Sequence, residues 1–136
     1  MAINFNKLIE TSVALKANQT GRCFHTSFIL SKGKVLAIGM NDYNKLHLNH
    51  RFGQYHPRKI NSDKHYVAGI HSEIDSILKL GRVDFSRYEL VNIRIDNNGK
   101  LACAYPCPNC LRVITDQLQF KRIYYSISEN KDFGII

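Results

Sequence analysis

His71-Ser72-Glu73-Ile74-Asp75-Ser76-Ile77 and Pro106-Cys107-Pro108-Asn109-Cys110 are the two stretches on which the reading of this chain turns. One His and two Cys close three corners of a zinc tetrahedron and leave the fourth for water, which is the layout of a catalytic rather than a structural zinc site. Glu73 is placed to take a proton from that water and deliver it elsewhere; the plainer reading of it is an ordinary solvent-facing helix carboxylate such as Asp75. Ile74, Ile77 and Leu78 give residues 71–80 the apolar face of a helix, with Gly81 as its C-cap. A helix that begins at Cys107 puts the sulfurs of Cys107 and Cys110 on one face near its N-terminus, where the helix dipole favours thiolates. Leu111, Ile114 and Leu118 extend that helix over residues 107–120, and Pro106 and Pro108 suit its entry. Two helix N-termini can therefore converge on one metal.

Outward from these motifs, the chain alternates helical and extended patterns. Phe5, Leu8, Ile9, Val13 and Ala17 recur at helical steps. Residues 24–30 and 35–40 are apolar runs joined by Ser31-Lys32-Gly33-Lys34, a hairpin signal. Residues 89–96 alternate as a strand, with Leu90, Val91, Ile93 and Ile95 apolar and Asn92 and Arg94 polar. Asn97-Asn98-Gly99 turns into a short apolar run at 101–104. Residues 123–127 form another strand, and Phe133-Gly134-Ile135-Ile136 ends the chain as a last one. This order predicts an α/β fold: a three-layer α/β/α sandwich around a mixed central sheet.

Residues 42–70 are the least regular segment, and we read them as a basic insertion loop within a single domain spanning 1–136. The segment holds Lys45, Arg51, Arg58, Lys59 and Lys64, four His (His47, His50, His56, His65) and interleaved aromatics. Loops of this length in a compact domain are usually functional or disordered.

The 136 residues suit one domain able to bury a core, and 44% hydrophobic with 22% charged residues is the balance of a soluble globular protein. No apolar run is long enough to span a membrane, and the N-terminus lacks a signal-peptide pattern, so a cytoplasmic location is expected. The formal charge of +8 suits a phosphate-bearing partner, a nucleotide or a nucleic acid, although solubility alone also explains it.

The cysteines admit two other readings. Cys107 and Cys110 could be a redox pair, but such a motif needs no distant His-x-Glu. Cys103 could complete a structural Cys₃His site, but it precedes Cys107 on a segment expected to point it elsewhere.

His71-x-Glu73 followed by Pro106-Cys107-x-x-Cys110 resembles the signature of the cytidine/deoxycytidylate deaminase superfamily. The likeness spans residues 24–127. The helix of residues 71–77 is similar to the family's His-Ala-Glu-x-x-Ala-Ile, with Ser72 for Ala. The resemblance implies a zinc-dependent hydrolase acting on cyclic amidines, with Zn²⁺ held by His71, Cys107 and Cys110 and with Glu73 moving protons. It implies substrate contacts from Asn41, in a Gly-x-Asn at the end of the second strand, from the Ser72 amide, and from the Tyr105-Pro106 segment. His25 is expected at the pocket mouth. Family members are mostly dimers or larger, so a homo-oligomer is expected.

The substrate is less legible. The position of residues 42–70 matches an insertion of deoxycytidylate deaminases, which favours a free nucleotide and a role in pyrimidine nucleotide metabolism. The five residues 128–132 instead make a hairpin, so the last strand runs antiparallel, as in free-nucleoside cytidine deaminases. Met40-Asn41-Asp42 stands where those enzymes carry Asn-x-Glu. A single-stranded DNA or RNA deaminase, for cytosine or adenine, also suits the basic-aromatic mixture, and a non-catalytic zinc module is argued against by Glu73. The four loop His could hold a second zinc, but no pair has a clear ligand spacing, and solvated or phosphate-facing His is preferred.

Overall fold

The computed structural model describes residues 3–17, 24–46 and 69–136. The element order is α1 (Phe5–Lys16), β1 (Phe24–Ser31), β2 (Lys34–Met40), β3 (Asp42–Leu46), β4 (Gly69–Ile70), α2 (Ser72–Leu80), β5 (Glu89–Ile95), β6 (Leu101–Ala102), α3 (Pro108–Arg112), β7 (Arg122–Ser126) and β8 (Phe133–Ile135). The main sheet runs β2-β1-β5-β7-β8, with β6 also paired to β5. Only β5 and β7 are parallel; β1 pairs antiparallel with both β2 and β5, and β8 pairs antiparallel with β7. The expected hairpin after residue 127 is therefore present.

The central strands are apolar on both faces, so helices must cover both. On one face α1 sets Leu8 against Phe28, Leu30, Val91, Ile93 and Ile95. On the other, Ile74 and Ile77 of α2 and Cys110, Val113 and Ile114 pack on Ile29, Leu90 and Ile123. This is the three-layer α/β/α sandwich with a mixed sheet that the element order predicts.

Two segments differ from the sequence expectation. The ends of the 42–70 segment are extended and pair with each other, Asp42 with Ile70 and Leu46 with Gly69, as a separate two-stranded ladder. The four loop His, Arg51, Arg58, Lys59 and Lys64 lie outside the described residues. The helix expected over 107–120 is α-helical only as far as Arg112 and then widens into a π-helix over Val113–Gln117. There the Thr115 hydroxyl donates to the Leu111 carbonyl at 2.7 Å. A Thr hydroxyl that bonds the carbonyl four residues back competes with the α-helical ladder and bends the helix.

Helix α2 sits hard against β2, and this fixes its height over the sheet. A Cβ at Gly39 would collide with the Ser72 carbonyl oxygen and the Ser76 amide nitrogen, so the strand needs a glycine where the helix crosses it. The Met40 N–H donates to Asp75 Oδ2 at 2.9 Å, and Lys79 pairs with the same carboxylate at 3.1 Å. Asp75, expected as an ordinary solvent-facing helix carboxylate, is instead buried and clamps α2 to the end of β2. The bond satisfies an amide that β2 would otherwise bury unpaired.

Candidate metal centre and active site

The two motifs meet at the N-termini of α2 and α3. His71 is the N-cap of α2 in extended conformation, one residue outside the helix, and Ser72 begins it. Cys107 plays the same part for α3, and its Sγ accepts the Cys110 N–H at 3.4 Å. A sulfur in the N-cap position thus takes the place of the usual Ser or Asp oxygen, and the amide that it accepts favours the thiolate. Chain entry to α3 is held from the sheet. Ser126 at the end of β7 accepts the Arg94 N–H at its Oγ, donates that hydroxyl to the Ala102 carbonyl, and gives its own carbonyl to the Ala104 N–H. This junction splits β6 away from β7 and directs residues 105–107 over the sheet.

His71 Nδ1 lies 3.3 Å from Cys110 Sγ and 3.7 Å from Cys107 Sγ. All three ligand atoms fall within 4.8 Å of one another. Zinc bonds of about 2.3 Å to sulfur and about 2.0–2.1 Å to nitrogen at a tetrahedral angle place S and N about 3.6 Å apart. The observed separations bracket that value, so the donor set fits a zinc ion with a further position open. Cys103 is exposed and is not part of this group. A redox pair would not require the His71 ring nitrogen beside both sulfurs, and the structure gives that nitrogen to each.

Glu73 follows in the first turn of α2 and is buried. Burial pushes its carboxyl above the ordinary carboxylate range, opposed chiefly by the charge of His71, while the charge of Cys107 adds to the rise. Its Oε2 accepts from Asn92 Nδ2 at 3.0 Å, and the Ser72 hydroxyl lies 3.3 Å from Oε1. Raised proton affinity beside a metal-binding group is what a proton-carrying carboxylate needs near neutral pH.

The substrate-side residues inferred from the sequence are distributed as follows. Asn41 is buried and joins the two strands at their ends: its Oδ1 accepts the His25 N–H at 3.0 Å, and its own N–H donates to the His25 carbonyl at 3.3 Å. His25 has its pKa lowered to about 4, first by burial and then by the charges of Arg94 and His71, so it is neutral at pH 7. The charges of His71 and Cys107 also act on it. Ser72 is buried, with its hydroxyl turned to Ser27 and Glu73. Tyr105 is 51% exposed and stands edge-on to Tyr125 at a centroid distance of 5.0 Å, and Pro106 behind it is buried.

Sequence reasoning missed Ser27, Asn92 and Arg94. Asn92 and Arg94 were counted as the polar half of an alternating strand. The sheet has no solvent face at that point, so a polar residue there sits in the site instead of in water. The missed signal was a polar side chain in a strand whose two faces both have to be covered.

No family model matches the sequence, and no curated protein matches it either. Among solved structures, the chain is similar to a cytidine deaminase from Burkholderia pseudomallei, with a TM-score of 0.57 and 14% sequence identity over 96% of this chain and 90% of that one. At that identity the likeness speaks for the fold. The chain shares the three-layer fold of that structure, and within it His71, Cys107 and Cys110 converge as a group that could hold a metal ion.

Proposed function

We propose that this protein is a zinc-dependent hydrolytic deaminase that converts a cytosine base to uracil with release of ammonia, the base being carried by a free nucleotide. The observation that carries the reading is a buried glutamate in the first turn of α2, two residues after the His of a His/Cys/Cys group whose ligand spacing fits zinc. Zinc, when bound by His71, Cys107 and Cys110, supplies an activated water. Glu73 would carry two protons in turn: the first from the attacking water to the ring nitrogen, where it stays in uracil, and the second from the hydroxyl added at the amidine carbon to the amine that leaves as ammonia. The Ser72 amide and the Tyr105-Pro106 segment orient the base, and the exposed Tyr105 ring offers a face at the mouth. Asn41, anchored through its side chain to His25, stands on the sugar side.

Arg94 favours a phosphorylated substrate. It is the antiparallel partner of His25 across β1 and β5, and its charge is felt by His25. A guanidinium at that rung suits an anionic group, which a nucleotide carries and a nucleoside lacks. A second reading, a free nucleoside, is favoured by the antiparallel β8, which the family resemblance associates with nucleoside enzymes.

The test is an ammonia-release screen of the zinc-loaded protein over cytidine, deoxycytidine, their monophosphates, guanine and adenine compounds, and a single-stranded oligonucleotide. We expect turnover on a cytidine or deoxycytidine monophosphate. Arg94→Ala should raise KM for that substrate about tenfold and leave the nucleoside unchanged. Equal effects on both would favour the nucleoside reading, and silence on all cytosine compounds would overturn the proposal.

A further inference from the structure

Glu73 is gripped from the sheet. Asn92 on β5 and Ser27 on β1 are register partners, and both point to the face under α2. Asn92 Nδ2 donates to Glu73 Oε2 at 3.0 Å, and Asn92 Oδ1 accepts the Ser27 hydroxyl at 2.7 Å. The Ser27 and Ser72 hydroxyl oxygens are 2.7 Å apart, and Ser72 Oγ is 3.3 Å from Glu73 Oε1. Four side chains therefore close a ring, and all four are buried.

The chemistry of the groups sets the direction of this ring. An ionised carboxylate only accepts, so the amide nitrogen of Asn92 must face Glu73 and its oxygen must face Ser27. The Ser27 hydroxyl then has to donate to Asn92, and the single proton of the Ser72 hydroxyl is left to serve Ser27 Oγ or Glu73 Oε1. The run whose direction is fixed is Ser27 to Asn92 to Glu73 Oε2. An aliphatic residue at position 92 would fill the same space between Leu90 and the site, but it would leave a buried carboxylate with one hydrogen-bond donor fewer.

We propose that Asn92, held by Ser27, is a positioning residue that pins Glu73 Oε2 and so aims the other carboxylate edge at the reaction centre. The proposal rests on the deaminase reading for its catalytic consequence and on geometry alone for the pairing. Removing a partner that orients a group beside a metal centre typically costs about 10–100-fold in activity.

Two measurements test it. In the zinc-loaded protein, Asn92→Leu should lower kcat about 10–100-fold with KM within about twofold and with zinc stoichiometry unchanged, and Ser27→Ala should give a smaller fall of the same kind. A merely structural role would lower thermal stability and leave kcat of the folded fraction alone, and that result would overturn the proposal. The second measurement is independent of turnover. Asn92→Asp sets two carboxylates face to face and should lower the denaturant midpoint, and Glu73→Gln added to it should restore the midpoint, because an amide again meets a carboxylate. Additive effects of the two substitutions would show that the residues are not coupled and would also overturn the proposal. If the wild-type protein deaminates nothing, the deaminase reading fails, while the Glu73–Asn92 pairing still stands or falls on the double substitution.

Discussion

The two faces of the central sheet are built from the same strands and carry opposite loads. Under α1, Phe28, Leu30, Val91, Ile93 and Ile95 make an apolar layer with Leu8 and Leu101, in which buried Thr26, opposite Ile93, is a polar member. Under α2 and α3, the paired rungs of β1 and β5 change character along their length. Ile29 pairs with Leu90, then Ser27 with Asn92, then His25 with Arg94. The sequence moves from apolar to neutral-polar to cationic, and the metal-binding group stands over the polar end. One face is all stability. The other uses its first rung for packing and its second to hold Glu73, and its third carries His25 and Arg94. Strand alternation makes this division possible, because successive residues serve different faces.

If the faces are separable in this way, substitutions should break either function or folding, and each should leave the other measurable. The largest effect is expected at Cys107→Ala, which should abolish stoichiometric zinc by elemental analysis and all turnover with it; full zinc content would overturn the ligand assignment. Glu73→Gln should keep zinc and lower kcat by about two to four orders of magnitude. Retained activity would remove Glu73 as the proton carrier. On the opposite face, Phe28→Ala should cost about 3–5 kcal/mol in chemical denaturation, since the ring is completely buried, while kcat of the folded protein is unchanged. A fall in kcat of the folded fraction would show that the faces are mechanically coupled.

A smaller effect should appear in the pH dependence of stability. His25 has a pKa of about 4 in the folded chain against an ordinary value of 6.5. Between those values the unfolded chain binds a proton that the folded one does not. The stability is therefore full above pH 6.5 and is lost as pH falls toward 4, by up to about 3 kcal/mol. Urea midpoints for the wild type and His25→Gln between pH 7.5 and 4.5 check this. The wild type should fall more steeply, and parallel curves would remove His25 as the source.

Much of the metal site could be read in advance because its spacing is local. A His at the head of one helix and a Cys-x-x-Cys at the start of another are each placed by a single turn of chain; both helices begin one residue later than expected, which leaves His71 and Cys107 as N-caps. The apolar periodicities of α1, α2, β1 and β5 likewise placed the layers. Asp75 was misjudged because its partner, the Met40 amide, is thirty-five residues away and nothing near Asp75 announces it. The π-helical turn was missed because it depends on whether the Thr115 hydroxyl or its own amide reaches the Leu111 carbonyl, a competition that the apolar pattern does not register.

What the sequence determined by itself was the candidate donor set and the order of the main elements, since each depends on neighbours within a few residues. The tertiary structure alone decided that β1 and β5 lie in the register Ser27 to Asn92 and His25 to Arg94. That register brings residues from the two ends of a long stretch of chain under Glu73 and beside His71. A strand reports which of its residues share a face, but it does not report which residue of another strand will stand opposite, because that is set by packing and hydrogen bonding across the whole sheet.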